Sequence, residues 1–140
     1  MSAEFPFLNT TRVVSVESLP LFKEYAWDFD NNCFLYDGNG NMILLEGNEA
    51  IKVWIIKALK TDRFSYLAYT WRYGFEGKAF IGKVISVGER RSELRRGIVE
   101  CLMVNSYIRS IDKIEFTETS NGRNLEINIT LTTIYGKMTV

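Results

Sequence analysis

The chain contains no histidine. That removes the side chain titrating nearest neutrality, and with it the commonest general base and metal ligand. Ser-His-Asp and Cys-His catalysis are excluded, as are histidine-bearing zinc sites. Only two cysteines occur, Cys33 and Cys101, too few and too far apart for a four-ligand metal centre. A disulfide between them is left open by the sequence. Neither sign of charge predominates: 17 basic side chains balance 17 acidic ones. A broad electrostatic footprint for nucleic acid or an anionic membrane is therefore not expected, and self-repulsion does not oppose association. No apolar run approaches the ~20 residues that span a bilayer. The N-terminus lacks the basic and apolar regions of a signal peptide, so a soluble protein of a reducing compartment is expected.

What is present is ordinary globular material with one excess. The 140 residues suit a single domain, and 46% hydrophobic against 24% charged residues argues against disorder. Aromatics reach 14%, enough to supply both a core and sticky surface. Both prolines, Pro6 and Pro20, fall in residues 1–22, which read as an extended N-terminal arm preceding an α+β domain at 23–140.

Within that domain, residues 25–29 and 33–36 read as strands around an Asp30-Asn31-Asn32 turn. Asp37-Gly38-Asn39-Gly40 then reverses the chain into a third strand at 42–45. Asn48 is the expected N-cap of an amphipathic helix running to about Lys60. Its apolar stripe is Ile51, Trp54, Ile55, Ala58 and Leu59, with Lys52, Lys57 and Lys60 mainly on the wet side. The aromatic stretch 64–71 looks extended, and Phe80, Ile81, Val84 and Ile85 give a short helical stripe. A longer helix follows a Ser86–Glu89 capping box and buries Leu94, Ile98, Cys101 and Leu102, with Asn105 to close it. Gly97 inside this helix costs ~1 kcal/mol against Ala unless a neighbour needs the space.

The last 30 residues carry the clearest pattern. Strands at 111–119 and 125–134 are joined through Asn121-Gly122, the strongest short-range hairpin signal. Leu125, Ile127, Ile129 and Leu131 face one way; Glu126, Asn128, Thr130 and Thr132 face the other, leaving one face for core and one for water or binding. The expected architecture is α+β, a largely antiparallel sheet whose C-terminal hairpin packs against two or three helices.

Candidate chemistry is thin. Asp37, Asn39 and Asn41 match the first ligand positions of a calcium loop, but Met42 stands where that loop needs glycine. Asp28 with Asp30, or Glu46 with Glu49, are pairs a glycosidase would want across a cleft, yet such carboxylates also serve turns and helix starts. Arg90, Arg91, Arg95 and Arg96 form the densest basic cluster and could serve a nucleic-acid-binding module. Internal pairing of Arg90 with Glu93 and Arg96 with Glu100 offers a plainer account. Tyr66, Tyr69, Trp71, Tyr73 and Phe75 could stack bases, or pack a core or protein interface.

A series of blocks carries more. Residues 25–30 (Tyr-Ala-Trp-Asp-Phe-Asp), Gly47-x-Glu49-Ala50-Ile51-x-x-Trp54 and Ala58-Leu59-Lys60-Thr61-x-Arg63 occur in order with Trp71-x-Tyr73-Gly74. Asn105-x-Tyr107-Ile108, residues 111–114 (Ile-Asp-Lys-Ile) and the closing Thr133-Ile134-Tyr135-Gly136 follow. Together, from about Leu19 to the C-terminus, they resemble the baseplate wedge and sheath-initiator proteins of contractile phage tails and tail-like bacteriocins, a group historically labelled tail lysozyme. The resemblance implies a non-enzymatic structural protein without cofactor, metal, nucleic acid or membrane partner. It implies assembly in the host bacterial cytoplasm and residence in the baseplate, as six copies per ring. Partners would be the tail sheath, the wedge scaffold and the tube or hub. Strands of the sheath would add to its sheet. The corresponding sheath-facing residues are Leu125, Glu126, Asn128, Thr130, Thr132 and Tyr135. Scaffold-facing residues would be Tyr107, Ile108, Arg109, Trp54 and Arg63. The family's Glu-Pro-Arg motif is replaced here by Ile108-Arg109-Ser110. A peptidoglycan hydrolase of the same particle is the alternative function.

Overall fold

Alternation along residues 125–133 becomes the central strand of a three-stranded antiparallel sheet. The computed structural model describes residues 19–61, 63, 70, 72–76, 86–120 and 125–140. Strand β5 (Ile108–Glu118), β6 (Leu125–Thr133) and β7 (Gly136–Thr139) follow in spatial order β5-β6-β7. Ile129 and Leu131 of β6 are buried, as are Ile108 and Ile114 of β5, while Asn128, Thr130 and Thr132 are half-buried and Lys113 and Glu115 exposed. Burying each such aliphatic side chain contributes about 1.5–3 kcal/mol. Two register shifts, at 108–110 and 111–113, kink the first half of β5. The turn expected at Asn121-Gly122 lies outside the described residues.

Two helices cover the apolar face. Helix α1 (Asn48–Lys60) buries Ile51, Ile55 and Ala58, and α2 (Val87–Leu102) buries Ile98, Cys101 and Leu102. These join the aliphatic residues of β5 and β6 in one core. Ser86 caps α2 as expected: its hydroxyl accepts from the Glu89 amide while the Glu89 carboxylate accepts from the Ser86 amide. Such a cap contributes about 1 kcal/mol. The helix ends at Leu102, and the buried Asn105 then ties the connection to β5. Its amide donates to the Leu102 carbonyl, and its side-chain oxygen accepts from the Tyr107 amide at 3.0 Å.

The start of α1 corrects the expected cap. Gly47 occupies the N-cap with φ 66° and ψ −136°, backbone geometry that glycine tolerates and side chains do not. Asn48 is instead the first helical residue, and its side-chain oxygen accepts a hydrogen bond from the buried Thr133 hydroxyl at the end of β6. A tertiary partner has outcompeted the local cap.

The segment 23–46 departs further from the expected hairpins. Strands β1 (Lys23–Tyr25), β2 (Trp27–Asp28), β3 (Cys33–Phe34) and β4 (Leu44–Glu46) pair as β1 with β4 and β2 with β3. At their junction three residues close a ring of main-chain hydrogen bonds. The Ala26 amide donates to Ile43, the Ile43 amide to Leu35, and the Leu35 amide to Ala26, at 2.8, 3.1 and 3.1 Å. Three short arms radiate from this triangle, the third closed by a Tyr36–Met42 bridge. Neither single strand expected at 25–29 or 42–45 runs through, because each switches partner at the junction.

Strand β7 extends the expected two-stranded hairpin. A two-residue connection, Ile134-Tyr135, leads into Gly136 at φ 118°, and Met138 and Val140 then return to the core. The aromatic stretch 64–69 with Trp71, the stripe at 80–85 and residues 1–18 of the expected arm lie outside the described residues.

Candidate functional site

The expected sheath-facing residues fall into two places. Glu126, Asn128, Thr130 and Thr132 line one face of β6, opposite Thr117, Glu115, Lys113 and Ser110 of β5. Thr130 and Thr132 also face Thr139 and Lys137 of β7. This is a continuous polar surface on the side of the sheet away from the helices. Asp112 anchors its β5 rim, accepting from the Thr132 hydroxyl at 2.7 Å and the Ser110 hydroxyl at 2.9 Å. Those two bonds, the Thr132 one foremost, hold its carboxyl below the ordinary value. Asp112 was not among the expected residues; its pairing across the strands needed the register. Leu125 opens β6 with its side chain exposed.

Tyr135 belongs elsewhere. In the β6–β7 turn its hydroxyl accepts from the Phe22 amide at 2.9 Å, and its ring stacks near Tyr107 with centroids 6.4 Å apart. Tyr107 in turn donates to the Pro20 carbonyl at 2.6 Å and meets Phe22 edge-on. A residue expected to meet the sheath and one expected to meet the scaffold are thus brought together where residues 20–22 cross the sheet end.

The scaffold set is scattered. Ile108 is 4% exposed and is a core residue of β5. Arg109 beside it is exposed. Trp54 on α1 packs half-buried against the core with Tyr73 at its edge. Arg63 lies 4.0 Å from Glu100 on α2. A hydrogen-bonded loop holds that region: Phe75 donates to Thr61, and Arg63 donates to Phe75.

Main-chain geometry identifies a feature that side-chain pattern could not. Strand β6 is central, so both of its edges are occupied; among the described residues the sheet edges are β5 and β7. Ile129 exchanges both main-chain bonds with Val140, at 2.9 and 2.8 Å, so its polar groups point toward β7. Its partner in β5, Ile114, therefore directs its own N–H and C=O away from β6, as do Phe116 and Glu118 by alternation. Strand β5 is 11 residues long, against four for β7. Among the described residues, no strand pairs with the outer edge of β5.

Several of the residues offered for chemistry, Asp28, Asp37, Arg91, Arg95 and Arg96 among them, have structural partners. Asp28 accepts from the Asn31 side chain and from the amides of Asp30 and Asn31, which lowers its pKa through the Asn31 bonds first. Asp37 accepts from the amides of Asn39 and Asn41 and so shapes its turn. Glu93 pairs with Arg96 at 2.8 Å rather than with Arg90, and Arg96 also reaches Glu100. Arg91 bridges to Glu118 and Arg95 lies over the Phe116 ring, so this helix face is engaged with β5. Cys33 is exposed and Cys101 buried, both as free thiols. Burial pushes the Cys101 thiol up to about 11, against the opposing pull of the Arg63 charge.

The family model describing the contractile injection system sheath initiator matches residues 23–136. The chain belongs to this family. No curated protein matches it. As a sheath initiator it is a structural component of a contractile injection system, and the matched span begins at β1 and ends at the first residue of β7.

Proposed function

We propose that this sheath initiator sits in the baseplate and starts the first sheath ring by accepting a strand of the sheath subunit on the outer edge of β5. The observation that carries the proposal is the run of outward N–H and C=O groups at Ile114, Phe116 and Glu118. An edge of this length to which no strand is paired among the described residues is a ready template for a strand from another chain. Main-chain bonds would supply affinity, and the exposed side chains of Lys113, Glu115 and Thr117 on the polar face would help select the partner. Glu126, Asn128, Thr130 and Thr132 lie on that face beside the added strand, one strand further in. The α2–β5 junction around Tyr107 and Arg109, with Trp54 and Arg63, is assigned to the wedge scaffold. Six copies around the tube and hub complete this arrangement, with no catalytic role.

Proline separates the edge from the ladder. Glu118→Pro removes an outward N–H and leaves the β5–β6 bonds in place, whereas Thr117→Pro removes an inward one. The Glu118→Pro chain should fold, enter baseplates and slow sheath polymerisation on them. Normal initiation by that variant would place the sheath contact on another part of the molecule.

A further inference from the structure

The three-arm segment 23–46 carries an apolar face for which the core has no use. Directly paired residues point to the same side of a ladder, as do residues two apart on one strand. Tyr25 pairs with Leu44, and Tyr36 bridges to Met42. Phe34, two residues before Tyr36, meets the Tyr25 ring edge-on at 6.2 Å. These five large side chains therefore share one side. All are exposed, Tyr36 at 59% and Leu44 at 45% among them. Contiguous aromatic and aliphatic surface of this kind on a folded protein marks an interaction site.

The charges around it name the partner's chemistry. Residues 23–46 contain one lysine against five carboxylates, Glu24, Asp28, Asp30, Asp37 and Glu46. That is an excess of four negative charges in a chain that is neutral as a whole. Lys57 of α1 neutralises Glu24 at 3.1 Å. An excess of three negative charges remains, since Lys23 stands opposite Glu46 in the ladder, and Asp28, Asp30 and Asp37 lie in or beside the turns of the arms. The rings themselves already accept a cation: the Lys57 ammonium lies 5.2 Å from the Trp27 centroid and 5.7 Å from that of Phe34. A partner suited to this face combines apolar anchors with flanking lysine or arginine.

We propose that the face formed by Tyr25, Phe34, Tyr36, Met42 and Leu44 docks a basic, apolar-anchored segment of a different baseplate protein. This contact is separate from the β5 edge and rests only on the chain's place in a contractile particle. The test replaces Tyr36 with photoreactive p-benzoylphenylalanine in intact particles and identifies the cross-linked peptide by mass spectrometry. A second probe at Glu115 reports the sheath contact in parallel, so either contact can fail without the other. The expected product at Tyr36 is a segment of another subunit with apolar residues and an excess of Lys and Arg. No cross-link, a cross-link to a second copy of this chain, or one to an acidic segment would overturn the proposal. The paired substitution Tyr36→Ser with Leu44→Ser alters only exposed side chains. It should leave the circular dichroism spectrum unchanged and lower incorporation into particles by about tenfold. Unchanged incorporation would likewise count against the docking face.

Discussion

Gly97→Ala is the sharpest test of how the helices are packed. Alanine inside a helix ordinarily gains ~1 kcal/mol over glycine. Here a Cβ built on Gly97 falls 2.8 Å from Cε2 of Phe75, with two more ring atoms at 3.5 and 3.6 Å. The ring cannot simply swing aside with its backbone. Its own amide donates to Thr61 at 2.8 Å, and its carbonyl accepts from Arg63 at 3.1 Å. Gly74, just before it, has φ 103° and sits so close to the Thr61 carbonyl that a Cβ there would be 2.8 Å away. Phe75 is therefore held at its Cα and packed at its ring. Overpacking of this kind costs about 1–3 kcal/mol. Set against the helical gain, the net change is a loss of about 1 kcal/mol, or roughly 3–5 °C in Tm for a chain of this size. Gly88, in the same helix, has nothing within 4 Å of its Cβ position, so Gly88→Ala should stabilise by up to ~1 kcal/mol. Urea unfolding of both variants, and of Gly97→Ala combined with Phe75→Leu, separates propensity from contact. The double variant should recover most of the loss, as coupled neighbours do. If Gly97→Ala stabilises as much as Gly88→Ala, the Phe75 contact is not as described.

Three further outcomes follow from named groups. Ser86→Ala removes the capping-box bond that the Ser86 hydroxyl accepts from the Glu89 amide, leaves the one donated by its own main-chain amide, and should lower stability by about 1 kcal/mol in the same unfolding assay. Alkylation should label Cys33 rapidly and Cys101 slowly at neutral pH. Because the folded Cys101 pKa is raised to about 11, the unfolded thiol ionises first; stability should fall as pH rises from about 9 to 11, and Cys101→Ala should remove that slope. Asp112 has the opposite sign. Its folded pKa is depressed, so its contribution is present above the ordinary carboxylate range and lost as pH falls through the folded value. Thr132→Val should flatten that acid limb in pH-dependent thermal melts.

Much of the fold was legible because it follows from short-range rules. The Ser86–Glu89 box, the α2 core face and the alternation of β6 each need only neighbouring residues to define them. Gly97 was marked by its cost, and the neighbour that needs its space is the Phe75 ring. Long-range competition was not legible. Asn48 had every local reason to cap α1, but the Thr133 hydroxyl, 85 residues away, engaged its side chain. Glu93 is three residues from both Arg90 and Arg96, and only the structure shows that Arg96 takes it. Lys57 was placed on the wet side of α1, yet it is drawn into the Glu24 pair and the rings of Trp27 and Phe34. The polar face of β6 could be listed residue by residue, whereas its central position depended on β7, a strand of four residues with little pattern of its own. That position shifts the proposed sheath contact from the side chains of β6 to the main chain of β5.

The most direct test of that claim is amide hydrogen exchange on β5. In the free chain the amides of Ile114, Phe116 and Glu118 should exchange much faster than those of Lys113, Glu115 and Thr117, which point into the sheet. On baseplates carrying the first sheath ring, the outward set should become as protected as the inward one. Continued fast exchange of all three outward amides beneath an assembled ring would contradict strand addition at this edge.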